Sequence, residues 1–183
     1  MKTRLLSTAR LSLPLATALA ALLAASSVHA ATIDWDGDTS TDWATGGNWA
    51  GGTAPVDDLT TDIANFNLAT YGGDPVFAPD AGTRSINGIT IGATNGAMTL
   101  TTTNLSVGGS GISIASGAGA FAITGGLTLG AAQSWINNSA NAFTVSAPID
   151  NGGFLLTVGG TGGTSISGAI SGTGGLTKQD VST

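Results

Sequence analysis

Beyond about residue 85 the chain consists of short runs in which apolar and small polar residues alternate, each run closed by glycine. Ile89-Thr-Ile91, Leu105-Ser-Val107, Ile112-Ser-Ile114, Leu127-Thr-Leu129, Phe143-Thr-Val145 and Ile166-Ser-Gly-Ala-Ile170 show the pattern. Gly108-Gly109, Gly125-Gly126, Gly152-Gly153, Gly159-Gly160 and Gly174-Gly175 separate the runs. Side chains two apart leave the same face of a strand, so each run offers an aliphatic row to one side and a Thr/Ser row to the other. Glycine pairs supply the tight corners needed between runs. No stretch after residue 30 holds a helical period over ten residues, so the sequence predicts an all-β protein.

Repetition discriminates among all-β architectures. Leu105-Ser-Val-Gly-Gly, Leu127-Thr-Leu-Gly, Leu156-Thr-Val-Gly-Gly and Leu176-Thr-Lys-Gln are variants of one phrase, starting 22, 29 and 20 residues apart. A repeat of about twenty residues or more is the scale of one coil of a β-solenoid. The expected fold is a right-handed parallel β-helix of about four rungs, its handedness following the general rule for crossovers in a twisted sheet. Ile89, Ile91, Leu105, Val107, Ile112, Ile114, Leu127, Leu129, Val145, Leu156, Val158, Ile166 and Leu176 are expected to point inward. The long middle interval contains Gln133-Ser-Trp-Ile-Asn-Asn-Ser-Ala-Asn141, read as a bulged loop or a longer rung. The alternative is an antiparallel β-sandwich, but hairpin signals are poor: Asn87-Gly88 and Asn95-Gly96 are the only Asn-Gly pairs ahead of the repeats.

Residues 1–30 have the form of an export signal. Lys2, Arg4 and Arg10 make a basic start, Leu11 to Ala25 is apolar apart from small residues and Pro14, and Val28-His29-Ala30 offers a peptidase site before Ala31. Fifteen apolar residues fall short of the ~20 that span a bilayer. Cleavage leaves Arg84 and Lys178 as the only cations against eleven acids, all of them Asp, for a net charge of 2 − 11 = −9. Such a chain has little with which to neutralise phosphates, which disfavours nucleic acid and anionic lipid as partners. The single His, His29, leaves with the signal, and there is no Cys.

Residues 31–83 differ in composition. They hold nine of the eleven Asp and three of the four Trp, with Pro55, Pro75 and Pro79, and are expected to form an N-terminal cap ahead of solenoid repeats at 84–183. Asp34-Trp-Asp36-Gly-Asp38 places acids at positions 1, 3 and 5 of a would-be calcium loop. An EF-hand needs Gly at position 6 and Glu at 12, where this chain has Thr39 and Thr45, so only an irregular calcium site is open to it. Trp35, Trp43 and Trp49 fall within fifteen residues. Exposed, such rings could stack on sugars; buried, they would close the end of a solenoid, where an uncovered edge exposes unpaired backbone.

Two segments resemble a known family. Gly162 to Gln179 closely resembles the autotransporter-associated β-strand repeat, a module of bacterial surface and secreted passengers. Trp43, Asn48-Trp49, Pro55 and Asp62-Ile-Ala-Asn-Phe66 resemble the leader region of autotransporter-like and PEP-CTERM-type proteins. The resemblance implies a stacked β scaffold, exported with the help of the secretion machinery and displayed at the cell surface or released. It also implies a longer passenger, because family members continue to a translocating barrel or a sorting motif, whereas Asp180-Val-Ser-Thr183 follows the repeat here. The expected location is the extracellular space or the cell surface, with the periplasm the alternative if the protein genuinely lacks the barrel.

Catalysis has few residues to draw on. With neither His nor Cys after residue 30, the Ser-His-Asp, thiolate and imidazole-metal chemistries have no parts. Paired carboxylates remain, as in glycoside hydrolysis, yet neither Asp57-Asp58 nor Asp74 and Asp80 has a spacing that picks out an acid and a base. Asn104-Leu-Ser106 and Asn137-Asn-Ser139 match the glycosylation sequon by composition alone. The expected function is a structural or adhesive scaffold without intrinsic catalysis, cofactor or metal, meeting a glycan or a surface protein outside the cell. A carbohydrate-binding module built on the tryptophans and a β-helical polysaccharide hydrolase or lyase are the alternatives.

Overall fold

The computed structural model describes residues 30–73 and 83–179. The leader, with its expected cleavage site on the Ala30 side of Ala31, lies outside the described residues up to position 29, as do Asp74, Pro75, Pro79, Asp80 and residues 180–183. Twelve strands share one sheet: β1 (Ala31–Trp35), β2 (Asp62–Phe66), β3 (Thr83–Ile91), β4 (Met98–Ile114), β5 (Phe121–Leu129), β6 (Gln133–Asn137), β7 (Phe143–Val145), β8 (Ile149–Asp150), β9 (Leu156–Gly159), β10 (Thr164–Ile166), β11 (Ile170–Ser171) and β12 (Leu176–Lys178). Every pairing between these strands is parallel. The chain is a β-solenoid of about five turns, and the antiparallel sandwich is excluded.

The register resolves three faces. The first stacks β1, β2, the end of β3, the end of β4, β6, β9 and β12. The second stacks the start of β4, the start of β5, β7 and β10. The third stacks the start of β3, the middle of β4, the end of β5, β8 and β11. The seventeen-residue β4 therefore rounds two corners and serves all three faces, with a register shift between Thr101 and Asn104. Gly125 marks one corner. Its φ is +93°, and a Cβ there would lie 1.7 Å from the Thr102 carbonyl oxygen of the coil beneath, so no side chain fits.

Stacking creates interior columns in which each apolar side chain sits on its equivalent one coil earlier. Ile89, Ile112, Trp135 and Val158 form one; Leu105, Leu127 and Ile149 another; Leu100, Ile123 and Val145 a third. Phe143 lies on Phe121 with ring centroids 5.3 Å apart and planes 6° from parallel. Of the residues expected to face inward, all are buried except Ile166 and Leu176. These two keep the column positions above Val145 and Leu156, but they belong to the last described coil, and among the described residues no further coil covers them.

One reading of the repeats is corrected by the register. Leu105 and Leu127 share the third face, whereas Leu156 and Leu176 share the first; Leu127 pairs with Ile149, and Leu156 pairs with Gln133. The 29-residue interval thus joins two different faces and is not a longer coil. Gln133–Asn137 is accordingly a regular strand, β6, with Trp135 wholly buried, and not a bulged loop. The phrase misled because the same Leu-Thr-Val alternation suits any face: it encodes inside and outside, not position around the coil.

Candidate functional site

The N-terminal end is the most differentiated part of the molecule. Ala31 pairs with Asp62, 31 residues on, whereas later coil partners lie 20 to 25 residues apart; the additional residues lie in the β1–β2 connection, 36–61. That segment folds back over β1. Asp36 and Gly37 donate their N–H groups to the Asn48 carbonyl at 2.9 and 3.1 Å, Ala50 donates to the Asp34 carbonyl at 2.8 Å, and Trp35 forms an antiparallel bridge with Trp49. The outer edge of β1, otherwise a row of unpaired backbone groups, is thereby paired at its C-terminal end, at Asp34 and Trp35.

Asn48 organises the fold-back. It is fully buried at the end of a single 3-10 turn (Gly46–Asn48). Its Oδ1 accepts from the N–H groups of Thr39 and Ser40 at 3.0 and 2.7 Å, and its Nδ2 donates to the Asp42 carbonyl at 2.7 Å and the Ser40 hydroxyl at 2.9 Å. All four hydrogen-bonding positions of the amide are used.

The three tryptophans lie beneath this loop. Trp35, Trp43 and Trp49 are 2%, 3% and 1% exposed, so none offers a ring face to a ligand. Trp49 meets Trp35 and Trp43 edge-on at 5.0 and 4.8 Å, and all three pack on Phe66 of β2 at 5.8 to 5.9 Å. The Trp49 indole N–H donates to the Trp43 carbonyl at 2.7 Å, which satisfies the polar end of a buried ring.

The candidate calcium acids part company. Asp34 lies on the outer face of β1 and accepts from the Asn65 amide at 2.7 Å, and Asn65 in turn accepts from the Thr90 hydroxyl at 2.7 Å. Asp36 and Asp38 instead border a cleft of about 230 Å³ between residues 35–41 and 68–73, together with the Trp35 edge, Thr41, Leu68 and Tyr71. Asp36 Oδ1 itself is buried without a hydrogen-bond partner. Among the described residues no three His, Cys, Asp or Glu side chains converge as a metal-holding group.

The other carboxylates are engaged in local structure. Asp57 meets the Arg84 guanidinium at 3.5 Å and accepts the Ser85 N–H at 2.6 Å, which fastens the loop to β3. Asp58 faces solvent; the Thr61 hydroxyl, then the N–H groups of Thr60 and Thr61, hold its carboxyl below the ordinary value. Asp62 is buried at the start of β2 and accepts the Val56 N–H at 2.7 Å.

Sequence reasoning passed over the buried amides. Gln133 donates to the Val107 carbonyl at 2.8 Å and accepts from the Trp135 indole at 2.9 Å. Asn137, taken by composition for a sequon residue, is fully buried and donates to the Asn141 and Gly163 carbonyls at 3.0 and 2.8 Å. Its place two residues after Trp135, on the inward side of an alternating run, is the signal that could have found it. Among the described residues, no helix is long and apolar enough to cross a membrane.

Compared with protein-family models, curated proteins and solved structures, the chain matches none of them.

Proposed function

We propose that the chain is an exported solenoid scaffold of the passenger type, with a structural or adhesive role outside the cell and no intrinsic catalysis. The observation that carries this reading is the division of labour across each strand: the inward columns are aliphatic and aromatic, and the outward positions are largely uncharged hydroxyls and amides. Thr124 donates to Thr101 at 3.3 Å, Thr90 to Asn65 at 2.7 Å, and Thr94 to Asn67 at 2.7 Å, each between adjacent coils. Outward polar groups are thus spent in part on the ladder itself, which suits a spacer that holds its shape over distance. Of the adjacent carboxylates that could have served as an acid–base pair, Asp57 is engaged with Arg84 and Ser85 of β3, and Asp58 with Thr60 and Thr61 of its own loop.

Export is tested by producing the full chain with its leader in a bacterial host and sequencing the N-terminus of the material outside the cytoplasm. The expected mature start is Ala31. Retention in the cytoplasm with Met1 intact would remove the reading. Adhesion is tested by coating beads with the mature chain and measuring capture by cells and glycan surfaces.

A second reading has one observation in its favour. The polar cleft beside Trp35 is lined by Asp36, Asp38, Thr39, Ser40, Thr41 and Tyr71, carboxylates and hydroxyls of the kinds that hold a single sugar ring. Sugar recognition would then use this cleft, not a platform of three rings. Asp36→Ala should abolish any retention on a glycan array; equal retention by the variant excludes the cleft.

A further inference from the structure

Trp35 differs from its buried neighbours at the polar end of its ring. The indole N–H of Trp49 donates to the Trp43 carbonyl at 2.7 Å, and that of Trp135 to Gln133 Oε1 at 2.9 Å. Trp35 is 2% exposed, yet its indole N–H meets no acceptor among the described residues. A buried Trp N–H usually finds one. Nor is this nitrogen sealed in: the fully buried partnerless side-chain atoms are Asp36 Oδ1, Arg84 Nε and Thr164 Oγ1. The residue standing over it is Gly37, where a side-chain carbon would come within 2.8 Å of Trp35 Nε1. With no side chain at Gly37, the N–H opens toward the cleft of about 230 Å³ that Trp35 and Gly37 both line.

Both walls of that cleft are held from behind. Asn48 Oδ1 fixes the N–H groups of Thr39 and Ser40, and the Gly37 N–H donates to the Asn48 carbonyl at 3.1 Å. Opposite, the Leu68 carbonyl accepts from the Gly96 N–H at 2.7 Å, and the Tyr71 hydroxyl donates to the amide oxygen of buried Asn95. The walls close on each other where Gly73 lies against Thr41; a side-chain carbon at Gly73 would sit 2.6 Å from the Thr41 methyl. A site already in shape loses little entropy when it binds. Its volume is below the roughly 300–1,000 Å³ of drug-sized sites, so it suits one ring and not a chain.

Resting on the sugar reading of this cleft, we propose that the Trp35 indole N–H anchors a single sugar ring, and that the site takes neutral and amino sugars and rejects acidic ones. A sugar hydroxyl both accepts and donates, so one ring can accept from the indole and donate to the carboxylates of Asp36 and Asp38. No cation lines the cleft: among the described residues Arg84 pairs with Asp57, and Lys178 lies on β12. An acidic sugar brings a third negative charge against two, with nothing beside it to offset the repulsion. An ammonium group in place of a hydroxyl meets the same carboxylates favourably, and charge-assisted hydrogen bonds are the stronger kind.

The four tryptophans give four indole N–H resonances, which read the site directly. Without ligand, the Trp35 N–H should exchange with water faster than those of Trp49 and Trp135, which are hydrogen-bonded. The mature chain is titrated with gluco-, galacto- and manno-configured sugars, each in neutral, amino and uronic-acid form. At least one neutral sugar should move the Trp35 resonance. Its amino form should bind at least as well, and its uronic-acid form roughly tenfold more weakly or worse. Trp35→Phe keeps a ring in the cluster but removes the N–H, and should weaken binding about five- to tenfold. The titration of the unmodified chain decides the matter even if that variant folds poorly. Sugar binding that Asp36→Ala abolishes, but that leaves the Trp35 resonance unmoved, overturns the anchor and keeps the sugar reading. Acidic sugars bound as tightly as neutral ones overturn the ligand class alone. No binding by any of these sugars overturns both the anchor and the reading beneath it.

Discussion

Replacing Trp49 with Ala should be among the most damaging single changes available to this protein. The ring is 1% exposed and contacts Trp35, Trp43 and Phe66, so truncation opens a cavity at the junction of the fold-back and the first two strands. Deleting a buried large aromatic costs about 3–5 kcal/mol. The same change leaves the Trp43 carbonyl without its 2.7 Å donor, and an unsatisfied buried polar group costs about 1–3 kcal/mol. Water reaching that carbonyl through the cavity would recover part of the second cost, so a total near 4–6 kcal/mol is expected. Whole domains hold only about 5–15 kcal/mol, so the loss should be visible as a large drop in Tm or as unfolding at room temperature. Trp49→Phe separates the two contributions: it keeps most of the packing, loses the donor, and should fall by about 1–3 kcal/mol. Circular dichroism melts of the three proteins decide the matter, and the native chain should show blue-shifted emission because all four tryptophans are buried. Unchanged melting in Trp49→Ala would refute the view that the cluster holds this end together.

Asn48→Ala removes four hydrogen bonds from one buried amide and should destabilise the fold-back by several kcal/mol, with amide exchange rising first in residues 36–50. Gly125→Ala places a Cβ against the Thr102 carbonyl at a positive φ whose backbone cost alone is about 1–2 kcal/mol; Gly163→Ala, where a Cβ meets open space, is the matched control and should change Tm little. Asp58 has a folded pKa below its ordinary 3.8, so its contribution is present above that value and is lost as pH falls through the lowered one. The native chain should lose slightly more stability on acidification than Asp58→Ala, by a small margin since the carboxylate stands in solvent, and acid melts of the pair read the difference.

The inside–outside pattern was legible because period two is a local property: Ile112-Ser-Ile114 reads as a half-buried strand without knowledge of its neighbours. The face to which each run belongs was not legible from one phrase. Leu127 and Leu156 look alike, yet corners of different length carry them to different sides of the coil, and only pairing fixes that. Trp135 was misplaced for a related reason. A lone aromatic amid Asn and Ser reads as a loop, whereas the interior absorbs the polarity by bonding Gln133 and Asn137 to carbonyls of the neighbouring coils. The tryptophan cluster was visible as a composition, but its burial followed from the fold-back that Asn48 secures, and an amide that bonds three backbone groups and a hydroxyl leaves no periodic trace. The separation of Asp34 from Asp36 was equally hidden, because the strand ends at Trp35 and the chain then turns at Gly37, whose φ is +63°.

In a stack of this kind each coil is ordered chiefly by the coils on either side, so its stability is a sum over neighbouring interfaces. An interior coil has two such interfaces and an end coil has one. The first end makes up the difference with a 26-residue connection folded back on β1, four buried aromatic rings counting Phe66, and an amide satisfied on every side. At the last described coil the side chains remain those of an interior coil, Ile166, Ile170 and Leu176, with no comparable cluster above them. A coil with one interface opens more readily than one with two, and the exposed aliphatic row gains free energy from any surface that supplies the second. The outward ladder can vary at little cost, since its hydroxyls already face water. Selection for a new partner can therefore act on the outward positions without disturbing the columns that define the fold.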